Sequence, residues 1–304
     1  MLVLGGYVLA SLAPEMVTRF DARRHIHRIW SQDMQTIVVT GSTRGIGRGL
    51  AREFLQRGHR VVVTGRTQGS VDPAVAELSP LGEVLGVPCE VSDYEQVQAV
   101  WDAAIERFGR VDVWINNAAL APDHSMFAEI PAEQIAATVD ANLTGTLYGV
   151  RVALAGMLKQ GGGKIYTFEG FGSDGMKNPG LTVYGSTKYA VRYLTESLAK
   201  EYADTPIIIG SLSPGMVPTD LLIYSSRGED QAKWEKSKRI MNILGDKVET
   251  VTPWLVEQAL SNDKNGARIA WLTRAKAIRR FLLPGYKNRD IVGEYEREYE
   301  ARSK

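Results

Sequence analysis

The chain has one cysteine in 304 residues, Cys89, so no internal disulfide is open to it and a reducing compartment suits it. Its four histidines, His25, His27, His59 and His124, are scattered without metal-ligand spacing, and no metal site is expected. Neither sign of charge dominates: 36 Lys plus Arg face 35 Asp plus Glu, and a net charge of +1 offers no electrostatic case for nucleic acid. No internal repeat, low-complexity tract or long linker is present. Long hydrophobic runs are scarce too. MLVLGGYVLASLA, at residues 1–13, falls short of the roughly 20 apolar residues that span a bilayer as a helix. It also lacks the basic opening of a signal peptide, and Pro14 follows its small-residue end. Residues 1–33 are set apart as an extension with two readings: a packed or membrane-touching segment, or a stretch ahead of a start at Met34. A cytoplasmic globular protein is the expectation, and 44% apolar with 23% charged residues is ordinary for one.

What is present is an alternation of short β-branched runs with helical stretches. TIVVT (36–40), RVVVT (60–64), EVLGVPC (83–89), VDVWIN (111–116), KIYTF (164–168), IIIGSLS (207–213) and ARIAWL (267–272) read as strands. Their nearly unbroken apolar character suits strands covered on both faces, as in a parallel sheet. Helical patterns lie between them at Gly47–Gln56, Tyr94–Phe108, Ala132–Lys159 and Tyr184–Tyr202. The expected architecture is α/β: one doubly wound parallel sheet with helices on both faces, built from right-handed βαβ units over 34–273. Residues 217–262 read as helices or a lid over a site, and 274–304 as a basic, helical C-terminal extension. From Lys264 to Arg289 there are eight basic residues and no acid, interleaved with Ile278, Phe281, Leu282 and Leu283. A solvated helix face and a surface meeting membrane or an acidic partner are both open for that stretch.

Two stretches carry chemistry. TGSTRGIG (40–47) follows the first strand and opens a helix, where glycines let backbone approach a pyrophosphate and helix N–H groups favour its charge. The second strand ends Thr64-Gly65-Arg66-Thr67, with no acid to accept ribose hydroxyls and a guanidinium suited to a phosphate. With Arg44 inside the glycine turn, this favours NADP(H) over NAD(H). YGSTK (184–188) places Tyr184 and Lys188 one helical turn apart on one face. A phenol with its usual pKa near 10 is a poor acid–base group, and a neighbouring ammonium is expected to pull it toward working pH.

TGSTRGIG, NNAA (116–119), VDANLTG (139–145), YGSTK and SPGMVPT (213–219) occur in that order, each at a strand end or on the expected helix. Over roughly residues 35–273 the chain resembles the short-chain dehydrogenase/reductase family, whose sheet is of the Rossmann type. The resemblance implies Tyr184 as acid/base, Lys188 as its tuner and ribose ligand, and Asn142 as the residue holding the helix and water that serve Lys188. It implies cofactor contact at Gly41, Thr43, Arg44, Gly45, Ile46, Gly47, Arg66, Glu90, Val91, Asn116, Asn117, Ala118, Pro214, Gly215, Val217 and Thr219, together with Tyr184 and Lys188. Ala119 stands where the family has glycine, and Glu90 where an aspartate usually meets adenine. The sharper departure is a missing serine, expected about 13 residues before the tyrosine, where this chain reads Glu169-Gly170-Phe171. Ser173 is the candidate replacement, Thr167 a weaker one, and Glu169 is a candidate to hold a substrate donor or a proton.

The run Ile165–Gly172, LTVYGSTK and SPGMVPTDLL further resemble chlorophyll b reductases of the NYC-like type, which reduce a formyl group on a chlorin with NADPH. The expectation is an NADP(H)-dependent oxidoreductase acting on the carbonyl or alcohol of a bulky, apolar small molecule; the family also implies a homodimer or homotetramer. A different class stays open: a nucleotide-bound sensor or scaffold that lost catalysis with its serine.

Overall fold

The computed structural model describes residues 34–225 and 231–302; the expectations for residues 1–33 lie outside them. Seven strands form one parallel sheet in the order β3-β2-β1-β4-β5-β6-β7. They are β1 (Thr36–Val39), β2 (Arg60–Gly65), β3 (Val84–Pro88), β4 (Val113–Asn116), β5 (Gly163–Phe168), β6 (Ile207–Ser213) and β7 (Arg268–Ala270). The chain reverses direction across the sheet between β3 and β4, so β1 and β4 are neighbours and the switch point opens between their C-terminal ends. The doubly wound expectation holds.

The apolar runs are long because both faces are covered. Ile37, Val39, Val61, Val63, Val113, Ile115, Phe168 and Leu212 pack to one side with α1 (Gly45–Gln56) and α9 (Val248–Ser261). Val38, Val62, Trp114, Ile165, Ile207 and Ile209 alternate to the other side. There they meet α3 (Tyr94–Phe108), α5 (Gly145–Gln160) and α6 (Thr182–Glu201). One helix escaped the sequence reading: α2 (Gln68–Leu78), capped by Thr67, whose side chain accepts from the Ser70 amide at 3.3 Å. Gly69, Ser70 and the internal Pro73 mask its spacing of Val71, Ala74 and Leu78.

The expected helix Ala132–Lys159 is two. α4 (Ala132–Val139) passes through a π turn at Asp140–Thr144 before α5 continues. Past Thr219 come α7 (Asp220–Ser225), α8 (Gln231–Leu244) and α9, and after β7 come α10 (Arg274–Leu282), α11 (Pro284–Lys287) and α12 (Ile291–Arg302). Ile223, Met241, Ile291 and Val292 form a small core of their own between these segments. Among the described residues no helix is long and apolar enough to cross a membrane.

Gly149 shows how tightly α5 lies on the sheet: a Cβ there would sit 2.0 Å from Asn116 Oδ1 and 3.0 Å from Trp114 Nε1. Helix propensity alone makes Gly149→Ala stabilising by up to about 1 kcal/mol, whereas overpacking costs about 1–3 kcal/mol. The clash is with side chains fixed on β4, so the expected result is a net loss in urea unfolding. An unchanged or raised midpoint would show that α5 can move away freely.

Candidate active site

The glycine turn, Arg66, NNAA, the Glu169 loop and SPGMVPT all lie at C-terminal ends of strands, while Asn142 and the Tyr184–Lys188 pair come from helices. Thr40 closes β1 and organises the glycine turn: its hydroxyl accepts from the amides of Asn117 and Ala118 at 3.0 and 3.1 Å. Asn117 Nδ2 donates to the carbonyls of Thr40 and Gly41 at 2.9 and 3.0 Å. Gly41 N–H donates to Thr64 Oγ1 at 3.1 Å, and Ser42 Oγ bridges the Val39 carbonyl and the Thr64 amide. The turn is therefore set by β2 and β4 as well as by its own glycines. Thr40, Ser42 and Thr64 were missed as turn supports, although hydroxyl residues at strand ends facing a glycine turn are a readable signal.

The glycines do what side chains cannot. Gly41 has φ +61°, and a Cβ on it would lie 2.8 Å from Ala118 Cα. At Gly47 a Cβ would meet the Gly41 carbonyl at 2.4 Å. Ile46 packs against the core from the first turn of α1. Thr43 lies over Gly65, whose added Cβ would be 2.6 Å from Thr43 Cγ2. Just beyond, Arg66 is exposed and forms no ion pair among the described residues. Arg44 is mostly exposed and meets Asp220 of α7 at 3.4 Å. Thr219 stands across the cleft, its methyl 3.5 Å from the position a Cβ on Gly45 would take. Pro214 and Val217 are buried beside it, and Gly215 turns with φ +75° against Leu272. A bare glycine cradle at a helix start fits the pyrophosphate of a dinucleotide.

One of the expected cofactor contacts is engaged elsewhere. Asn116 is buried, its Oδ1 taken by Trp114 Nε1 at 3.1 Å and its Nδ2 directed to the Tyr166 carbonyl at 3.4 Å, so it braces the sheet instead of lining an adenine-ribose side. Glu90 accepts from Ser92 through both amide and hydroxyl. Val91 is buried against Gly145.

On α6 the predicted pair does come together. Lys188, 4% exposed, has its Nζ 5.7 Å from the centre of the Tyr184 ring and donates to the Phe168 carbonyl at 3.2 Å. Asn142, carried inward by the π turn, accepts from the Leu120 amide at 2.7 Å and donates to its carbonyl at 2.8 Å. Its Nδ2 also donates to Thr187 Oγ1 at 3.0 Å, and that hydroxyl donates to the Tyr184 carbonyl at 2.8 Å. Asn142 thus fixes the turn of α6 that carries the pair. Thr187, the middle link, was not foreseen.

The electrostatic expectation is corrected. Burial pushes the Tyr184 phenol up to about 12 and the Lys188 ammonium down to about 8. Desolvation disfavours both charged forms, and it outweighs the attraction between them.

None of the candidates for the missing serine's place, Ser173, Thr167 and Glu169, has a free side chain. Gly170 lies directly against the tyrosine, where an added Cβ would be 2.4 Å from Tyr184 Oη. Ser173 is 2% exposed, and its hydroxyl closes the loop: it accepts from the Gly170 amide at 3.0 Å and donates to the Lys188 carbonyl at 3.3 Å. Its one proton is committed, so the expectation that it replaces the serine fails. Thr167 pairs with Thr195 of α6 at 2.7 Å. Glu169, 3% exposed, is held by Ser211 Oγ at 2.9 Å and by Arg268 of β7 at 2.7–3.0 Å. It forms a buried ion pair across three strands, so its carboxylate is engaged within the sheet.

A family model described as short chain dehydrogenase matches residues 35–230. The probable chlorophyll(ide) b reductase NYC1, chloroplastic, of Arabidopsis thaliana is 35% identical over 294 residues, 90% of this chain and 56% of that protein. The chain thus spans little more than half the length of that relative. Chlorophyll(ide) b reductase NOL, chloroplastic, of Arabidopsis thaliana is 35% identical over 273 residues, 85% of this chain and 77% of that protein. The crystal structure of levodione reductase matches with a TM-score of 0.70 at 26% identity, covering 80% of this chain and 98% of that one. The cytoplasmic expectation is corrected by the plant relatives, whose names place them in the chloroplast. The glycine cradle, the ordered motifs and these likenesses agree: the chain belongs to the short-chain dehydrogenase family.

Proposed function

We propose that this protein reduces an aldehyde on a bulky, apolar substrate with NADPH, Tyr184 acting as the proton donor. The observation that carries this reading is the pairing on α6 of a half-buried Tyr184 with a buried Lys188, whose ammonium is held by the Phe168 carbonyl at the end of β5. The dinucleotide, when bound, supplies the hydride. The chain supplies the rest: the turn of Gly41, Gly45 and Gly47 would hold the pyrophosphate, Arg66 with Arg44 the ribose phosphate, and the Pro214–Thr219 segment the nicotinamide side.

Reduction needs a phenol that is protonated at rest, and a pKa near 12 provides this through neutral pH. As the proton leaves, Lys188 in its ammonium form favours the negative charge growing on the phenol. Without the usual serine, the oxyanion loses one preorganised donor, which typically costs about 100- to 1,000-fold in rate. A formyl group is less hindered and more electrophilic than a ketone, so it is the carbonyl class best able to react with a single donor. The chlorophyll(ide) b reductases similar to this chain favour a formyl-bearing chlorin as that substrate.

Tyr184→Phe is expected to lower aldehyde reduction by about 100- to 10,000-fold while NADPH binding, followed by fluorescence, persists. Turnover unchanged by this substitution removes the catalytic assignment. Arg66→Ala removes charge-assisted hydrogen bonds to a phosphate, each worth about 1.5–3 kcal/mol. The dissociation constant for NADPH is then expected to rise tenfold or more while that for NADH stays level; equal effects on both would speak against a phosphate at Arg66. The pH dependence follows from Lys188. Below about 8 it is an ammonium, above that it is neutral, and the phenol stays protonated across both ranges. Single-turnover reduction should therefore decline as pH rises through about 8. A rate that stays level or climbs there means that the lysine charge does not assist proton transfer.

A further inference from the structure

Helix α10 presents two unlike faces. Its inner side is fully engaged: Lys276 Nζ sits 3.1 Å from the centre of the Trp271 ring, and Arg280 donates to the Leu244 carbonyl at 2.7 Å and to Asp246 at 2.6 Å. The outer side carries Ile278 and Leu282, 63% and 75% exposed, four residues apart and so stacked on one ridge. Phe281 and Leu283 extend the apolar surface, also exposed. Arg274 and Arg279 flank the ridge on either side at helical spacing. Neither forms an ion pair among the described residues, and the same holds for Lys287 and Lys264 nearby. The basic residues of this region that are neutralised, Arg268, Arg280 and Arg289, are paired with Glu169 or Asp246 on the inner side.

We infer that the outer face of α10 docks on an anionic lipid surface, lying in the interface with Ile278, Phe281 and Leu282 inserted among the acyl chains. An apolar ridge that projects outward, bordered by guanidiniums with long stems, matches the geometry of an interfacial helix. The absence of any acid from Lys264 to Arg289 gives the face one sign, complementary to anionic headgroups. Nine residues make a short anchor, so the attachment is reversible and depends on lipid charge.

The docking has a direction. α10 leaves the C-terminal end of β7, the same sheet edge at which Tyr184 and the glycine turn lie. Leu272, just before it, packs on Gly215, where an added Cβ would be 2.7 Å away, and Trp271 N–H donates to the Ser213 carbonyl at 2.9 Å. Seating α10 on lipid therefore brings the cleft edge of the sheet to the membrane side. On the proposed catalytic reading, this lets an apolar aldehyde pass from lipid to the site; the docking itself does not depend on that reading.

The test uses the full chain with Leu282→Cys carrying an environment-sensitive fluorophore. The native Cys89 is buried and its thiol is pushed up to about 12, so the label goes to the introduced position. The expected result is a blue shift on vesicles of phosphatidylcholine and phosphatidylglycerol in equal parts, and little change on phosphatidylcholine alone. Adding Arg274→Gln and Arg279→Gln should weaken partitioning about 25-fold, about fivefold for each charge. Residues 1–33 are common to both proteins, so the difference belongs to α10. Tyr184→Phe is expected to bind the vesicles at full strength, which separates failure of docking from failure of the catalytic reading. No shift on the mixed vesicles overturns the inference, as does partitioning unaffected by the two arginine substitutions. A blue shift that appears without vesicles and grows with protein concentration also overturns it, because a second copy then covers the face.

Discussion

Beyond β5 a buried ammonium and a half-buried phenol share one site, and the surroundings are built to make that tolerable. Taking an ion out of water costs several kcal/mol even after the protein relaxes. The site reduces the cost by holding each group toward its neutral form, with Lys188 pushed down to about 8 and Tyr184 up to about 12, and by giving the lysine the Phe168 carbonyl. It then fixes the helix that carries them through Asn142 and Thr187. The π turn follows from this demand: it places a fully buried asparagine where one side chain can bind Leu120 twice and α6 once. What the pair gains from its burial is a protonated acid beside a lysine whose charge is still available at neutral pH.

The loop after β5 is shaped by the same pair. Gly170 presses on the tyrosine hydroxyl and Gly172, at φ +92°, lies on Gly185, so the loop sits closer to α6 than side chains at either position would permit. Ser173 then has a reason other than substrate binding: it pins the loop to the Lys188 carbonyl. Glu169 likewise finds its partner along the sheet, in Arg268. Breaking a buried pair of this kind by removing one partner costs about 3–5 kcal/mol, less here because the Arg268 side chain is 44% exposed. The residues that replaced the family's serine motif are thus accounted for by packing.

This explains what the sequence made legible. Strands buried on both faces announce themselves, because Val38 and Val39 face opposite cores and neither can be polar. The Tyr184–Lys188 spacing is local to one helix and could be read directly. Glu169 could not, since its cation lies 99 residues further on and only the β5-β6-β7 register brings them together. Ser173 was misread because its acceptor is a backbone carbonyl, which no side-chain pattern reveals. The direction of the Tyr184 shift was misread for a related reason: spacing shows that a lysine is near, but only the folded environment shows that desolvation exceeds its attraction. Gly69, Ser70 and Pro73 hid α2 by the same logic, since Thr67 caps it and tertiary packing of Val71, Ala74 and Leu78 secures it.

The C-terminal segment belongs to this network through Asp246. Its carboxylate, 6% exposed with its residue, accepts from Trp271 Nε1 at 2.6 Å, Arg280 at 2.6 Å and Arg289 at 3.1 Å. Its amide donates to the Met216 carbonyl at 3.0 Å, within the segment that follows β6. One aspartate therefore ties α10 and the Arg289 turn to the backbone facing the glycine cradle. Tyr295 of α12 adds a second tie, donating to Asp220 at 2.6 Å, the residue that also pairs with Arg44 of the cofactor turn. The outer face of α10 therefore belongs to a helix whose inner face is bonded, through Asp246, to the backbone that carries Pro214 and Gly215.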